Sequence, residues 1–150
     1  MLPAGFSLRR GAMIDRPLLL KFLHRSYQEL YPETGFDHLR TTLNHYFTVD
    51  TPLWWVRTET EQVVGCLWLG NSVDQISGDR HSHIFLLYVM PEYRRRGLGS
   101  ALMATAERYA KTKGDRQITL QVFTNNQTAQ SFYQSLTYQP HAILMRKILP

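Results

Sequence analysis

The chain has 150 residues, 43% of them hydrophobic, 12% aromatic and 19% charged, which is the balance of one compact domain and excludes a disordered or fibrous chain. Lys+Arg number 17 against 12 Asp+Glu, leaving a formal net charge of +5, so an anionic partner is favoured, of which nucleic acid is only one kind. A single Cys66 excludes an internal disulfide, and no apolar stretch approaches the length of a bilayer span.

Taken in order, Phe6-Ser7-Leu8-Arg9-Arg10 alternates as a strand does, and Asp15 followed by Pro17 marks a helix start. Leu19, Phe22, Leu23, Tyr27, Leu30 and Tyr31 recur at helical spacing until Pro32 and Gly35, and a second helix is expected from Asp37 through Leu39 and Leu43 to Tyr46-Phe47. Leu53 to Arg57 and Gln62 to Leu69 read as an antiparallel hairpin about Thr58-Glu59-Thr60-Glu61. Cys66 lies in this second strand and reads as a buried, inert thiol. A polar loop from Asn71 to Arg80 leads into a central strand, Ser82 to Met90, closed by Pro91. Leu98, Leu102, Ala106 and Tyr109 fit one helix face ending at Lys113-Gly114; a strand Ile118 to Phe123, a helix Asn126 to Leu136 and a last strand Ala142 to Ile148 follow. With no repeat or linker, the expectation is one domain over residues 1–150, of mixed α/β (α+β) class, with a mainly antiparallel sheet flanked by helices. The N-terminus lacks the layout of a signal peptide, so a cytoplasmic chain without a membrane segment is expected.

The chemistry concentrates in Leu87-Tyr88-Val89-Met90-Pro91-Glu92-Tyr93-Arg94-Arg95-Arg96-Gly97-Leu98-Gly99-Ser100: a strand, a Pro-marked turn, three cations, two glycines and a helix start. The first turn of a helix presents unpaired N–H groups and the positive end of the macrodipole, and glycines there let a phosphate come close to the backbone. The segment resembles the Arg/Gln-x-x-Gly-x-Gly/Ala signature of the GCN5-related N-acetyltransferases, as Arg94, Gly97 and Gly99 behind Leu87-x-Val89-x-Pro91. A second element, Asn126-x-x-Ala129-x-x-Phe132-Tyr133-x-x-Leu136, is similar to the same family's Asn-x-x-Ala-x-x-hydrophobic-Tyr helix, and the resemblance runs from residue 6 to 148. Two departures stand out. Leu136-Thr137-Tyr138 replaces the usual Leu-Gly-Phe, and only Gln139-Pro140-His141 precedes the last strand, leaving almost no room for the family's sixth strand.

The resemblance implies acetyl-CoA as cosubstrate, lying in a splay between the two central strands. Its pantetheine would pair with backbone at Leu87, Tyr88 and Val89, and its pyrophosphate with Arg94, Arg95, Arg96, Gly97, Leu98, Gly99 and Ser100. Asn126 and Tyr133 face the same ligand, two helical turns apart. Tyr133 is the expected donor to the leaving thiolate. The acetyl group would pass directly to an amine through a tetrahedral adduct, without a covalent enzyme intermediate. Two positions that carry a carboxylate base in relatives hold His83 and Gln121 here; only the imidazole titrates, so His83 is the expected base, with a relay to water as the alternative. No metal is expected, because His81 and His83 lack a third ligand in the pattern. Tyr27, Tyr31, Phe36 and His38 are candidates for lining an acceptor pocket, as are Asp74 and Asp79 for greeting a cationic amine, although core packing and an ordinary loop explain them equally well. The partners implied are acetyl-CoA and a small or protein amine, with a homodimer left open. The rivals are a non-catalytic acyl-CoA-binding module, which would not need Tyr133, and a nucleic-acid-binding domain, whose affinity would fall steeply with salt.

Overall fold

A computed structural model describes residues 2–150. Strand β1 (Phe6–Arg10) is followed by helices α1 (Arg16–Leu30) and α2 (His38–Tyr46), then by strands β2 (Leu53–Thr58), β3 (Val63–Val73) and β4 (Arg80–Val89). Helix α3 (Leu98–Thr112), strand β5 (Ile118–Leu120) and helix α4 (Gln127–Ser135) complete the order. The sheet runs β1-β2-β3-β4-β5, antiparallel throughout except for the parallel β4–β5 pair.

Both sheet faces are covered, which is why β2 and β3 read as nearly continuous apolar runs rather than as alternating ones. On one face Leu19, Phe22 and Leu23 of α1 and Leu39 and Leu43 of α2 pack on Trp55, Cys66, Trp68, Leu86 and Tyr88. On the other, Leu98, Leu102, Met103 and Ala106 of α3 pack on Val56, Val64, Leu67 and Ile84, with Phe132, Tyr133 and Leu136 of α4 at the margin. Asp15 starts α1 by an indirect route: its carboxylate accepts the Ala12 N–H at 2.9 Å and the Trp55 indole N–H at 3.1 Å, pinning the helix start to the sheet. Cys66 is fully buried and burial pushes its thiol pKa up, so it is packing, not nucleophile.

In β4 the register steps from Trp68↔Leu86 to Leu69↔Ile84, leaving Phe85 as an extra residue. This bulge breaks the alternation, so Phe85 and Leu86 both serve the α1–α2 face while Ile84 and Leu87 serve the α3 face.

Three sequence expectations are corrected. The Asn71–Arg80 loop shrinks to 74–79, because β3 runs on to Val73 and pairs with Arg80. The strand expected over 118–123 stops at Leu120, because the chain turns toward α1, where Phe123 packs edge-on to Tyr31 at 5.5 Å and to Tyr27 at 6.1 Å. Ala142 to Ile148 forms no strand: Tyr138 is tied to Glu107 of α3 at 2.8 Å, Pro140 has no N–H to open a ladder, and the segment lies exposed.

Candidate functional site

The expected splay is present. β4 and β5 pair only where Ser82, His83 and Ile84 meet Ile118, Thr119 and Leu120. Beyond Ile84, β4 continues to Val89 with no strand on that side among the described residues, so the backbone groups of Leu87 and Val89 face the opening, whereas Tyr88, opposite Cys66, turns its own to β3.

The opening leads to the mouth of α3. Gly97, the N-cap, has φ +83°, and Arg95 has φ +61°. These left-handed residues curl the main chain so that successive N–H groups converge, the geometry of an anion-binding nest. The Ala101 N–H is taken by the Gly97 carbonyl at 3.1 Å, whereas the N–H groups of Arg95, Arg96, Gly97, Leu98, Gly99 and Ser100 have no acceptor among the described residues. This row of donors, at the positive end of a 15-residue helix, is what a pyrophosphate requires.

Gly99 has a second constraint that the sequence does not display. A Cβ there would lie 3.2 Å from Cζ of Phe132, so the missing side chain lets α4 close on the first turn of α3. The two motifs that lie far apart in the chain are thereby brought into contact. At Gly97 a Cβ would meet only Cγ of Pro3, at an ordinary contact distance of 3.8 Å, so the position is fixed by its φ instead.

The three arginines have different fates. Arg94 turns away from the α3 mouth: Nε donates to the Val89 carbonyl at 2.7 Å, one terminal nitrogen reaches both oxygens of Glu29 on α1 at 2.8 and 3.0 Å, and the guanidinium covers the Tyr88 ring at 5.4 Å. Its N–H also has a partner, the Pro91 carbonyl. The Tyr88 hydroxyl donates to the same Glu29 at 2.7 Å, and burial, with that hydrogen bond, pushes the phenol up to about 12. Arg94 therefore clamps the turn to α1, beside a cavity of about 260 Å³ lined by Arg25, Gln28, Glu29 and Tyr88. Arg96 lies over Tyr93 and donates to the Glu92 carbonyl at 3.2 Å; Arg95 has no side-chain partner among the described residues.

On α4, Asn126 is the N-cap, its side-chain oxygen accepting the Ala129 N–H at 3.2 Å, which leaves its amide N–H groups free. Tyr133 is half-buried beside Phe132 and Tyr138, with ring centroids at 5.4 and 6.0 Å, and its hydroxyl has no partner among the described residues. Burial alone pushes this phenol up to about 12. Against a thiol near 8.5, handing over the proton is uphill by roughly 5 kcal/mol, so the hydroxyl is suited to donating a hydrogen bond and keeping its proton.

On the opposite side of the splay, His83 stands at the root, its Nδ1 2.8 Å from Oγ1 of Thr119 on β5. Burial, and to a lesser extent His81, hold its pKa below the usual histidine value, so the ring is neutral at pH 7. His81 Nε2 meets the same Thr119 oxygen at 2.9 Å. Gln121 is exposed beyond the end of β5. Of the acceptor-side candidates, Tyr27, Phe36 and His38 form a chain of ring contacts, and Tyr31 donates to Asn125 at 3.3 Å. Phe123 joins Tyr27 and Tyr31, so α1 bridges to the β5–α4 segment. Phe123 and Thr119 both read as plain strand residues in sequence, and nothing in the local pattern singles them out. Asp74 is occupied at the hairpin tip by the Ile76 N–H, the Ser77 hydroxyl and Gln117, and the first of these leads in holding its carboxyl below the usual range.

A sheet splayed between β4 and its edge strand β5, with a donor-lined helix mouth beside an unpaired strand edge, defines a class of protein with an open groove suited to an extended anionic ligand. Residues 19–138 match the model of the acetyltransferase (GNAT) family, and the chain belongs to that family. It is 29% identical over 104 residues to the uncharacterized N-acetyltransferase YycN of Bacillus subtilis, covering 67% of this chain and 65% of that protein. A second B. subtilis relative, the uncharacterized N-acetyltransferase YdgE, is 27% identical over 125 residues, covering 83% of this chain and 71% of the relative. Among solved structures, an aminoglycoside acetyltransferase, meta-AAC0020 from an uncultured soil metagenomic sample, superposes with a TM-score of 0.74 at 20% identity over 100% of both chains. Aminoglycoside N-acetyltransferase AAC(6')-Iy in complex with CoA superposes with a TM-score of 0.72 at 18% identity, over 98% of this chain and 99% of that one. At these identities the likeness of the structures is one of fold.

Proposed function

We propose that the protein is an acetyl-CoA-dependent N-acetyltransferase that acts on a primary amine by direct transfer. The observation that carries the reading is the run of unclaimed N–H groups from Arg95 to Ser100, opening onto the unpaired edge of β4. Family membership and the CoA held by a neighbour of the same fold support it.

The residues present fit the ligand. The α3 mouth would take the pyrophosphate on backbone donors, with Arg95 adding charge, and on the open edge of β4 the Leu87 N–H and carbonyl and the Val89 N–H would pair with the pantetheine amides, Tyr88 lying between them and the Val89 carbonyl being held by Arg94. Asn126 has amide donors to spare on the same side. Arg94 positions the turn through Glu29 rather than touching phosphate with its side chain. When bound, acetyl-CoA supplies an activated acyl thioester. Tyr133 then donates a hydrogen bond to the departing sulfur, which makes the thiolate a better leaving group without full proton transfer. The proton that the amine loses ends on CoA sulfur, so amine and acetyl-CoA give amide and free thiol. Neutral His83 faces the amine side and either takes that proton or steers the amine by donation.

The acceptor is a small amine or a protein amine; neighbours of the fold act on aminoglycosides by name, and the aromatic group Tyr27, Tyr31, Phe36 and Phe123 gives this chain a less acidic acceptor wall than a polycation would call for. We also carry a cytoplasmic setting without a resident metal, and a homodimer built on the exposed 142–149 segment. The test is an amine panel incubated with acetyl-CoA, reading thiol release and acetylated product by mass. Thiol release that rises only with amine supports transfer; saturable CoA binding without any thiol release would leave a binding module, and salt-sensitive nucleic-acid binding indifferent to CoA would leave the other rival.

A further inference from the structure

Five polar groups from β4, β5 and their flanking loops form one hydrogen-bonded line. Asp74 Oδ2 lies 3.2 Å from Nε2 of Gln117; the same Nε2 lies 3.4 Å from Nδ1 of His81; His81 Nε2 lies 2.9 Å from Oγ1 of Thr119; and that oxygen lies 2.8 Å from Nδ1 of His83. The donors along it follow from the end that has no choice. An ionised carboxylate only accepts, and Asp74 already accepts from the Ile76 N–H and the Ser77 hydroxyl, so the Gln117 group facing it is the NH2. Its second proton points to His81 Nδ1, which must then carry a lone pair, and a neutral imidazole with a lone pair on Nδ1 has its proton on Nε2. His81 therefore donates to Thr119. The Thr119 hydroxyl has one proton and no third partner among the described residues, and it gives that proton to His83 Nδ1. His83 is thereby left with its proton on Nε2, the nitrogen that has no partner among the described residues.

We propose that Gln117, oriented by Asp74, is a positioning residue that fixes the tautomer of His83 through His81 and Thr119, so that His83 presents an N–H to the acceptor side and acts there as a hydrogen-bond donor, not as the base. The inference rests on the proposed transferase reading only for what His83 faces; the tautomer itself is a property of the ligand-free protein. The amine proton then leaves through water or with an acceptor that arrives neutral. The groups that face His83 are Thr119 of β5, and His81 and Phe85 of its own strand, with His141 near enough to Asp74 to act on its carboxyl at the far end of the line.

Long-range ¹⁵N–¹H correlation spectra of histidine-labelled protein at a pH above 7.5 read the tautomer directly, with His83 assigned by its loss in His83→Gln. The wild type is expected to show Nε2–H. Since that form is also the commoner one of a free imidazole, the decisive variant reverses the line: Gln117→Glu with Asp74→Asn places a carboxylate, which can only accept, where the Gln117 NH2 donates, forcing the proton of His81 to Nδ1, the Thr119 proton to His81, and the proton of His83 to Nδ1. Adding Thr119→Val, which deletes the bridge at nearly constant volume, should return His83 to Nε2–H. An Nδ1–H signal for wild-type His83, or an Nε2–H signal that persists in the folded reversed variant, overturns the proposal. With an acceptor in hand, wild type and His83→Gln should share the shape of their kcat/KM pH profiles, while the reversed variant gains an inflection that both of them lack. Absence of any transferase activity would defeat the proposed function and leave the spectra to decide the tautomer.

Discussion

At the scale of single residues, the site depends on where two phenol and imidazole protons sit. Burial pushes Tyr133 up to about 12 and leaves its hydroxyl without a partner among the described residues, so its donor is unspent until a ligand arrives. Tyr133→Phe removes that donor and little volume. It should leave acetyl-CoA affinity within a few-fold and lower turnover by about ten- to a thousandfold, read by titration calorimetry and by thiol release. Unchanged turnover would return Tyr133 to packing. His83 makes a claim on stability. Its folded pKa lies below the unfolded value near 6.5, so between the two the unfolded chain binds more protons than the folded one. The contribution is full above pH 6.5 and is lost as pH falls through the lowered folded value. Urea midpoints measured from pH 7.5 to 5 should therefore decline more steeply in wild type than in His83→Gln; parallel slopes would mean that the ring ionises freely when folded.

At the scale of elements, α3 and α4 meet where each motif has a glycine or an aromatic for the other. The 3.2 Å approach of a Gly99 Cβ to Phe132 predicts that Gly99→Val destabilises the ligand-free protein by about 1–3 kcal/mol, from overpacking and from a β-branched side chain in the first helical turn. Gly99→Ala should lie close to neutral, since better helix propensity offsets a contact that yields by a few tenths of an ångström. Thermal melts without ligand check both. Because Gly99→Val disturbs the fold, the phosphate cradle needs a different probe. Ser100 is exposed at the third helical position, and its N–H serves no acceptor among the described residues. Ser100→Pro deletes that donor without breaking a helical bond, so the ligand-free melting temperature should hold while acetyl-CoA binds about tenfold more weakly, the worth of one charge-assisted hydrogen bond. Equal affinity would move the pyrophosphate off the α3 mouth. The same elements show what a sequence discloses. The α3 mouth and the helix that opens at Asn126 are local patterns, set by neighbours within a few residues, and both are legible in the sequence. The Arg94–Glu29 clamp joins residues 65 apart, the Thr119 bridge joins two strands, and the Phe85 bulge depends on which faces α1 and α3 cover; each is decided by tertiary packing, which no local spacing encodes.

At the scale of the whole molecule, the packed domain ends at Tyr138, while Ile143, Leu144, Met145, Ile148 and Leu149 are 86%, 81%, 85%, 75% and 76% exposed. Five large apolar side chains in so short a segment carry a burial free energy of several kcal/mol that the described residues do not collect, at about 1.5–3 kcal/mol for each fully buried side chain. The sheet offers a matching deficiency: β5 is a three-residue edge strand with no further strand on its outer side among the described residues. An exposed apolar segment and an unpaired edge attract each other. Within one chain the three residues from Gln139 to His141 span at most about 10 Å, which restricts return to the parent edge, whereas an edge on a second copy is free of that tether. The outcome expected is concentration-dependent dimerisation in sedimentation velocity, abolished by Ile143→Lys with Met145→Lys and leaving the thermal stability of the dilute monomer within about 1 kcal/mol, because neither side chain belongs to the packed domain. A wild type that stays monomeric while the lysine pair lowers its melting temperature would mean that the segment docks on its own chain instead, and the homodimer would be withdrawn.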